Sequence, residues 1–462
     1  MNILLISANR EKSPYPVTPI GLAYVAKALL AAGHSVEILD LCFADAPDEA
    51  IKTAIAKTSP ALIGLSIRNI DNLSYPKSTS YLPYLESLAA SLKKTGITTI
   101  VGGSGFSLFP EGLLRRLKLD YGVTGEGEAA MKDFAAHLAA GIDACGIPNL
   151  AYLKDDVFHQ NPIRTGEAFL SPARELLDNQ RYFTLGGMAN VQTKRGCPFT
   201  CVYCTYPYLD GNKIRCRKAV EVADELEAML DKWGLDYVFF VDDIFNHPVS
   251  QAIGICKEII SRGLKLNWTC FATPLGMTRE LLGLMKEAGC KAIEFGTDAA
   301  SAVMLKNMGK SFTKDEVRAV SSLSSQEGVQ AAHYLILGGP GETIETLQEA
   351  FDFMDELAPR AVIVMIGVRI YPNTTLEKIS IAQGVIQKGA SLLDSRFYIS
   401  PLVKEDKLLT MIEGHASERP NWVVPALDIR NSEEGMAFLR RTGYRGPLWD
   451  LLAKPSRQRK VG

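Results

Sequence analysis

Two regions of the chain alternate short apolar runs with longer amphipathic segments. In residues 1–140 the apolar runs are "NILLISA", "SVEILDL", "ALIGLSI", "TTIVGGS" and "YGVTG". Continuous apolar runs are typical of strands covered on both faces, and alternation with helices is typical of a parallel sheet. The pattern predicts an α/β domain built on a doubly wound, flavodoxin-like sheet of five parallel strands.

The same alternation returns in residues 188–390. Six further strand candidates follow one another, "ANVQTK", "DYVFFV", "KLNWTCF", "KAIEFG", "VQAAHYLIL" and "AVIVMIGVRI". Between them lie helical segments such as "AVEVADELEAMLDKWG", in which Val222, Leu226 and Met229 share one face and Gly234 marks the end. Successive strand–helix units with right-handed crossovers predict a partial (β/α)6 barrel, with its active site at the carboxyl ends of the strands.

The two remaining regions lack this alternation. Residues 141–187 predict a hairpin around "LKDDV" and then a polar linker. Residues 391–462 predict a small C-terminal domain on the substrate side, and its basic end, "KPSRQRKVG", is expected to be a solvated tail.

Composition narrows the class of protein. A net charge of −2 over 462 residues gives no overall attraction to nucleic acid or to an anionic membrane. The first residues lack the basic region and cleavage site of a secretory signal, and the chain has no apolar run long enough to span a membrane, so we expect a cytoplasmic protein. The nine scattered cysteines do not resemble a disulfide framework, and reduced thiols are expected.

The predicted strands of the first domain end in polar or glycine-rich loops. Ligands of open parallel sheets bind beyond these carboxyl ends. Gly102, Gly103 and Gly105 would let the backbone approach a large ligand closely, although glycines also serve simply to end strands.

Three cysteines lie within eight residues after the first barrel strand, in "RGCPFTCVYC". Cys197, Cys201 and Cys204 have the spacing C-x3-C-x2-C, which lets three thiolates converge from one loop at the catalytic end of the barrel. Structural zinc and electron-transfer clusters usually have four ligands, so three cysteines leave one iron of a cluster open for a substrate or cofactor. The alternative recruits Cys216 as a fourth ligand and predicts an electron-transfer or ligand-sensing protein.

This cysteine motif resembles the signature of the radical S-adenosylmethionine (SAM) enzymes, with Tyr203 in the aromatic position. The resemblance implies a four-iron four-sulfur (4Fe-4S) cluster on the three cysteines, with SAM on the open iron and reductive cleavage to a 5′-deoxyadenosyl radical. It also implies SAM contacts from later strand ends: Asp242 and Asp243 for the methionine amino group, Glu294 or Asp298 for the ribose, and Gly338, Gly339 and Gly341 beside the adenine.

A doubly wound domain ahead of such a barrel resembles the cobalamin-binding subgroup of these enzymes, over residues 1 to about 390. The D-x-H-x-x-G string of other cobalamin domains is absent and His34 is poorly placed as a ligand, which leaves the lower face of cobalt unassigned. The cobalamin contacts implied by this resemblance are Asn9, Arg10, Arg68, Asn69, Asp71, Gly102, Gly103, Ser104 and Gly105.

The resemblance predicts C-methylation of an unactivated carbon through methylcobalamin; the alternative is a radical rearrangement, cyclisation or oxidation without methylation. His247, Arg369 and Tyr371 are candidates for substrate contact or proton donation. Expected partners are a small-molecule, lipid or peptide substrate and an external one-electron reductant of the flavodoxin or ferredoxin type. No nucleic acid is expected.

Overall fold

The computed structural model describes residues 1–166, 171–430 and 433–452 and contains two large, mainly parallel sheets. The first sheet is formed by β1 (Asn2–Ser7), β2 (Ser35–Asp40), β3 (Leu62–Ser66), β4 (Thr98–Gly102), β5 (Tyr121–Val123), β6 (Leu150–Lys154) and β7 (Val157–Gln160). Its helices are α1 (Ile20–Ala31), α2 (Pro47–Thr58), α3 (Leu82–Lys93), α4 (Ser104–Leu108), α5 (Pro110–Leu117) and α6 (Glu128–Ala140).

The strand order of this sheet is β2-β1-β3-β4-β5-β6-β7, with β1 to β5 parallel. The flavodoxin-like prediction is therefore confirmed, and the chain reverses its direction of travel between β1 and β3, where such sheets bind ligands. The predicted hairpin forms as β6 and β7. It is not a separate connector, because β6 pairs antiparallel with β5 and extends the first sheet.

After α7 (Asn179–Gly186), the second sheet contains β8 (Ala189–Val191), β11 (Tyr237–Phe240), β12 (Asn267–Ala272), β13 (Cys290–Asp298), β14 (Gln330–Leu337), β15 (Ala361–Ile366) and β18 (Trp422–Val423). The order β18-β15-β14-β13-β12-β11-β8 follows the chain, as in a curled barrel wall. All six predicted strands are confirmed. The short β18, which the sequence pattern did not reveal, adds a parallel seventh strand beside β15.

Shorter strands and helices complete this domain. The two small pairs are β9 (Lys194–Arg195) with β10 (Arg215–Cys216), and β16 (Val368–Arg369) with β17 (Phe397–Tyr398). The helices are α8 (Tyr206–Leu209), α9 (Ala219–Trp233), α10 (Val249–Ser261), α11 (Arg279–Glu287), α12 (Ala302–Asn307), α13 (Lys314–Glu327), α14 (Ile344–Leu357), α15 (Thr375–Ala382), α16 (Glu405–Ser417), α17 (Glu433–Arg441) and α18 (Trp449–Leu452). No helix in the described ranges has both the length and the apolar character needed to cross a bilayer.

Local signals explain where the barrel helices begin and end. Helix α9 buries Val222, Leu226 and Met229 as its periodicity predicts, and it ends at Gly234, whose φ of +61° suits glycine. Helix α13 begins with a capping box, in which Thr313 and Glu316 each bond to the other's backbone.

The C-terminal segment covers the end of the barrel at which the strands begin. At one edge the Gly446 amide donates to the Gly187 carbonyl (3.2 Å), next to β8. Toward the other side of the sheet, Arg360, just before the penultimate strand β15, binds Asp450 (2.8 Å). Between them Trp449 packs into the barrel on Ala292, Ala332, Ala361, Ile363 and Val423. Residues 453–462, and with them the predicted basic tail, lie outside the described residues.

Trp449→Ala should lower the free energy of unfolding by about 3–5 kcal/mol, because the small residues around the indole cannot fill the space it leaves. Phe438→Ala is the control, since Phe438 is 60% exposed on the same segment and its loss should change stability by about 0.5 kcal/mol or less. Urea unfolding of both variants measures the difference. Equal effects would contradict the covering of this end of the barrel by Trp449.

Candidate active site

A large cavity lies between the carboxyl ends of the two sheets. It encloses about 1700 Å³ between protein atoms, including its open mouth. The first domain contributes the ends of β1, β3, β4 and β5 and the start of α1. The barrel contributes Asn190, Gln192, Arg195, Tyr206, Leu209, Asp210, Val241 and Asp243. The carboxyl ends of the strands in both sheets, which the sequence predicted as binding sites, therefore line the same cavity.

Most of the loop residues expected to contact cobalamin lie at this cavity. Asn9, Arg68, Gly102, Gly103 and Ser104 line it. Arg10 and Asn69 line a smaller adjoining cavity of about 470 Å³, to which Asn9 and Arg68 also contribute. The side-chain amide nitrogen of Asn9 is buried and has no hydrogen-bond partner among the described residues, so a ligand carbonyl would satisfy it.

Two of the expected residues have structural roles instead. Asp71 is buried away from the cavity, where its carboxylate accepts from Arg369 (3.1 Å) and Ser395 (3.0 Å). Gly105 lies under the β3 loop, and a Cβ there would stand 3.0 Å from the Arg68 carbonyl oxygen. Gly103 lines the cavity but is also required by its backbone, because its φ is +96° and a Cβ at this position would stand only 2.5 Å from the Ile67 oxygen.

The cavity also has an apolar part, between the first sheet and helices α1 and α6. Its walls are Leu5, Leu22, Val25, Ile100 and Met131. A ligand with both polar edges and an apolar portion would match this lining.

The three cysteines of the motif lie on a loop that leaves the barrel after β9 and returns at β10. We refer to residues 196–214 as the cluster loop. Burial raises the pKa of the Cys197 thiol to about 11 and that of Cys204 to about 12, and the pKa of Cys201 is also raised by burial although Lys310 opposes it. Thiolates at these positions therefore need a bound cation to compensate for their desolvation.

The donor set fits an iron–sulfur cluster better than a single ion. Cys197 and Cys204 each experience the charge of Cys201, and Cys204 also experiences that of Cys197, so the three thiols are near neighbours. Within the described residues no three His, Cys, Asp or Glu side chains converge as ligands of one metal ion. A cluster binds each cysteine through a different iron and does not require such convergence.

Cys216 is not part of this group. It is exposed on β10, opposite Lys194 of β9. Its pKa is raised by burial and by Asp242 and lowered by Lys194, with no contribution from the three motif cysteines. This placement disfavours the four-cysteine alternative.

Tyr203 and Asp298 are joined with Lys310 beside the cysteines. The Tyr203 hydroxyl donates to the Asp298 carboxylate, and Lys310 binds the same carboxylate (2.5 Å) while its ammonium lies 3.7 Å from the Cys201 sulfur. Asp298, a candidate for ribose contact, is thus held by two protein groups. The network fixes the aromatic residue of the motif against the end of β13.

The adjacent acids Asp242 and Asp243 have different roles. Asp242 is only 1% exposed, and its carboxylate accepts from the Thr193 amide (2.6 Å), the Thr193 hydroxyl (2.5 Å) and the Lys194 amide (3.1 Å). It therefore fixes the turn before β9 and does not face the cavity. Asp243 does line the cavity, and burial together with Asp210 and Asp242 raises its pKa to about 8.

Glu294 lies inside the barrel and is bound by protein groups. Trp449 Nε1 donates to one carboxylate oxygen (2.9 Å) and the Tyr334 hydroxyl donates to the other (2.9 Å). The ring of Phe271 on β12 contacts the ring of Tyr334 on β14 across the intervening β13, at 6.0 Å between centroids. Phe271 and Tyr334 therefore lie on the same face of the sheet, and we call the space beside them and Glu294 the chamber.

The upper walls of this chamber are incompletely packed. Side chains at alternate positions near the strand ends are half-buried, whereas their neighbours along each strand are buried. These half-buried positions are Val241, Phe271, Gly296, Tyr334, Ile336 and Met365. The barrel therefore offers a mostly apolar, aromatic space that begins where the cofactor cavity ends.

The glycine-rich turn after β14 is closely packed against the segment around α12. A Cβ on Gly339 would meet the Met308 sulfur at 2.7 Å, and a Cβ on Gly338 would meet Leu408 at 3.0 Å. Gly341 lies similarly close to the Asn307 side chain. The Met308 carbonyl in turn accepts a hydrogen bond from the Val202 amide of the cluster loop, so the turn supports that loop from behind.

The three candidates for substrate contact lie apart from the chamber. Arg369 is 6% exposed and its guanidinium binds Asp71 and the carbonyls of Ile370 and Leu392. Tyr371 lies beside Arg369, 5.0 Å from ring centroid to guanidinium carbon. His247 borders a small pocket with Cys197 and Asp243, and burial followed by the nearby Lys194 lowers its pKa.

Several residues at the site were not singled out from the sequence. Tyr206 and Asp210 lie on the cluster loop shortly after Cys204, and Glu126 and Glu128 belong to the loop "TGEGE" after β5. Their polar character at predicted strand ends was the available signal. Trp449 and Arg195 had no such signal, because their roles depend on contacts between distant parts of the chain.

Comparisons with known proteins agree with this geometry. The family model of the B12 binding domain matches residues 6–135, and that of the radical SAM superfamily matches residues 191–354. An uncharacterised methyltransferase of Pyrococcus horikoshii is 28% identical over 397 residues, covering 84% of each chain. Tryptophan 2-C-methyltransferase of Streptomyces laurentii is 25% identical over 448 residues, covering 81% of this chain and 74% of its own.

A solved structure has the same fold throughout. The radical SAM methyltransferase TsrM from Kitasatospora setae, solved with cobalamin and a [4Fe-4S] cluster bound, superposes with a TM-score of 0.86. The match covers 98% of this chain and 97% of that chain at 22% identity. The chain therefore belongs to the radical SAM superfamily, as a member that carries an N-terminal B12-binding domain.

Proposed function

We propose that this protein is a cobalamin-dependent radical SAM enzyme that methylates carbon. The observation that carries the proposal is the shared cavity. It is lined by the strand-end loops of the B12-binding domain, by Asp243 and by Arg195, the residue directly before the cluster loop. When bound, the cofactors supply an electron, a 5′-deoxyadenosyl radical and a methyl group. The protein supplies their alignment and the exclusion of water.

Each cofactor is assigned to a particular set of residues. Cys197, Cys201 and Cys204 would hold the cluster, and Asp243 would accept hydrogen bonds from the amino group of SAM. The cobalamin would be held by the cavity residues Asn9, Arg68, Gly102, Gly103 and Ser104, with Arg10 and Asn69 beside them. We assign residues 1–140, extended by the hairpin, to the cobalamin-binding domain. Residues 188–390 form the radical SAM barrel, and residues 391–462 form the substrate-side extension.

The chamber favours a small, partly aromatic substrate over a long lipid or a peptide. Its walls include Phe271 and Tyr334, and Trp449 fills the barrel beneath Glu294. A planar ring could stack on these walls, and the carboxyl of Glu294, whose pKa burial raises, is the polar group at the base. The tryptophan methyltransferase among the relatives acts on a substrate of this class.

Cluster reduction needs an external one-electron donor of the flavodoxin or ferredoxin type. Such donors and reduced thiols are both characteristic of the cytoplasm, where we place the enzyme.

Cys197→Ala should abolish the iron–sulfur absorbance of the anaerobically reconstituted protein, whereas Cys216→Ala should leave it unchanged. The reason is that Cys197 belongs to the interacting thiol group and Cys216 does not. Iron and sulfide counts with the visible spectrum provide the measurement. Loss of the cluster in Cys216→Ala would support the four-cysteine alternative.

Asp243→Asn should stabilise the cofactor-free protein at pH 7, by on the order of 2 kcal/mol, while weakening SAM binding to the reconstituted enzyme. Because the folded pKa of about 8 is above the unfolded value of 3.8, the folded state binds the extra proton and the wild type loses stability as pH rises through this window. The stabilisation caused by Asp243→Asn should therefore decrease as the pH is lowered toward about 4.

The matched control is the neighbouring Asp242→Asn. It should destabilise the protein by about 1–3 kcal/mol, since an amide cannot accept all the hydrogen bonds that Thr193 and Lys194 donate. Urea unfolding at several pH values compares the two variants. Destabilisation by Asp243→Asn would mean that Asp243 has a structural role.

Methylation should yield S-adenosylhomocysteine and 5′-deoxyadenosine together, and a metabolite heavier by one methylene. The experiment compares anaerobic extracts of strains that express the wild type or Cys201→Ala, with analysis of the bound corrinoid. 5′-Deoxyadenosine without S-adenosylhomocysteine would instead indicate a radical reaction without methyl transfer.

A further inference from the structure

The cluster loop is attached to the rest of the barrel at two arginines. Arg195 is the last residue of β9, directly before the loop, and Arg215 is the first residue of β10, directly after it. The two residues pair with each other across the antiparallel β9–β10 ladder. Whatever fixes these two side chains therefore fixes both ends of the segment that carries Cys197, Cys201 and Cys204.

Both arginines are bound by acids of the other domain. Arg195 binds Glu128 (2.6 Å) and lies 3.6 Å from one oxygen of the Glu126 carboxylate. Arg215 forms an ion pair with the other oxygen of Glu126. We call Glu126, Glu128, Arg195 and Arg215 the interdomain clamp.

The clamp is largely shielded from solvent, with side chains that are 7% to 21% exposed, and it is braced from several sides. The side chains of Arg195 and Glu126 are only 7% and 10% exposed. The Gly166 amide donates to Glu126 (2.8 Å), while Arg215 donates to the Gly166 carbonyl (2.8 Å) and to the Asp210 carbonyl of the loop itself (2.7 Å). Buried ion pairs with this many additional hydrogen bonds hold a defined geometry.

The base of the cluster loop is also tightly packed. Gly196 has a φ of +89°, and a Cβ there would collide with the Lys213 carbonyl oxygen, so the outgoing and returning segments of the loop touch at this point. The Cys197 amide donates to the Gly211 carbonyl (3.1 Å) just beyond. A displacement of Arg195 or Arg215 is therefore expected to displace Cys197 as well.

On the other side, the clamp belongs to the wall of the cofactor cavity. Glu126, Glu128 and Arg195 all line it, together with the strand ends of the first domain. Glu128 is the first residue of α6, and Glu126 lies two residues earlier, after β5. The clamp therefore contacts the loop for one cofactor and the cavity for the other.

We infer that Glu126 and Glu128 are positioning residues, which set the placement of the cluster loop relative to the B12-binding domain through Arg195 and Arg215. The inference rests on the proposed function only in naming what the loop and the cavity hold. Because two reactive centres must be aligned closely, an error of about 1 Å in this placement is expected to cost on the order of 10²-fold in rate.

The first test uses the cofactor-free protein and hydrogen exchange. In Glu126→Gln/Glu128→Gln, the amides of residues 196–214 should exchange about tenfold faster or more, since both ends of the loop lose their charged partners. Asp71→Asn is the matched control, because it breaks the buried Asp71–Arg369 pair, which also joins the two domains but does not touch the cluster loop. Equal acceleration of the loop in Asp71→Asn would overturn the inference.

The second test uses the reconstituted holoenzyme. With the cluster reduced and cobalamin in the cob(II)alamin state, the magnetic interaction between the two spins in frozen solution reports their separation and its spread. In the Glu126→Gln/Glu128→Gln variant we expect wild-type iron and corrinoid contents, a broadened or weakened interaction, and methyl transfer reduced by about 10²-fold with a much smaller loss of SAM cleavage. Glu128→Asp, which keeps the charge, should recover part of each signal.

An unchanged spin interaction with unchanged loop exchange would refute the positioning role. If instead the loop exchanges faster but the wild type binds no corrinoid, the clamp is upheld and the proposed function fails. If the double variant has a low cofactor content, the single variant Glu128→Gln is tested instead. The inference then requires faster amide hydrogen exchange in this variant, restricted to the end of the cluster loop next to Arg195.

Discussion

The burial of three thiols without adequate positive charge is the constraint on which the site depends. Burial raises the pKa of Cys197 to about 11 and that of Cys204 to about 12, and Lys310 is the one cation among the described residues whose ammonium bonds to a sulfur of the three. The folded protein alone therefore disfavours the thiolate form that binds metal. In the proposed function the iron of a cluster would remove this cost, and the loop that would hold it needs contacts other than the cysteines themselves to keep it in place.

The fold supplies those contacts by setting two parallel sheets with their carboxyl ends facing one another. Parallel strands place their loops at one edge, and two such edges together enclose the cavity between β1, β3 and the start of the barrel. Domain contacts accompany this arrangement: Asn190 donates to the Thr18 carbonyl (3.0 Å), and the Tyr182 hydroxyl donates to Asp40 (2.5 Å). The cavity exists because both edges contribute walls to it.

The positions of the main strands along the chain and the position of the cysteine loop were predictable because they depend on local patterns. Apolar runs identified β1 to β5 and the six main barrel strands, and the close spacing of the cysteines identified the cluster loop. Side-chain partners were not predictable in the same way. Asp242, Glu294 and Asp298 all follow or lie on predicted strands, but each carboxylate is bound by groups that the sequence does not place nearby, such as Trp449 and Lys310. The covering of the barrel end by the C-terminal segment escaped prediction because that segment has no regular periodicity.

The placement of Trp449 has a consequence for access to the chamber. Its indole occupies the lower part of the barrel, on a bed of alanines, so in the described part of the chain the chamber opens toward the cofactor cavity. In the proposed function, substrate and product would therefore pass through the same opening as the corrinoid and SAM.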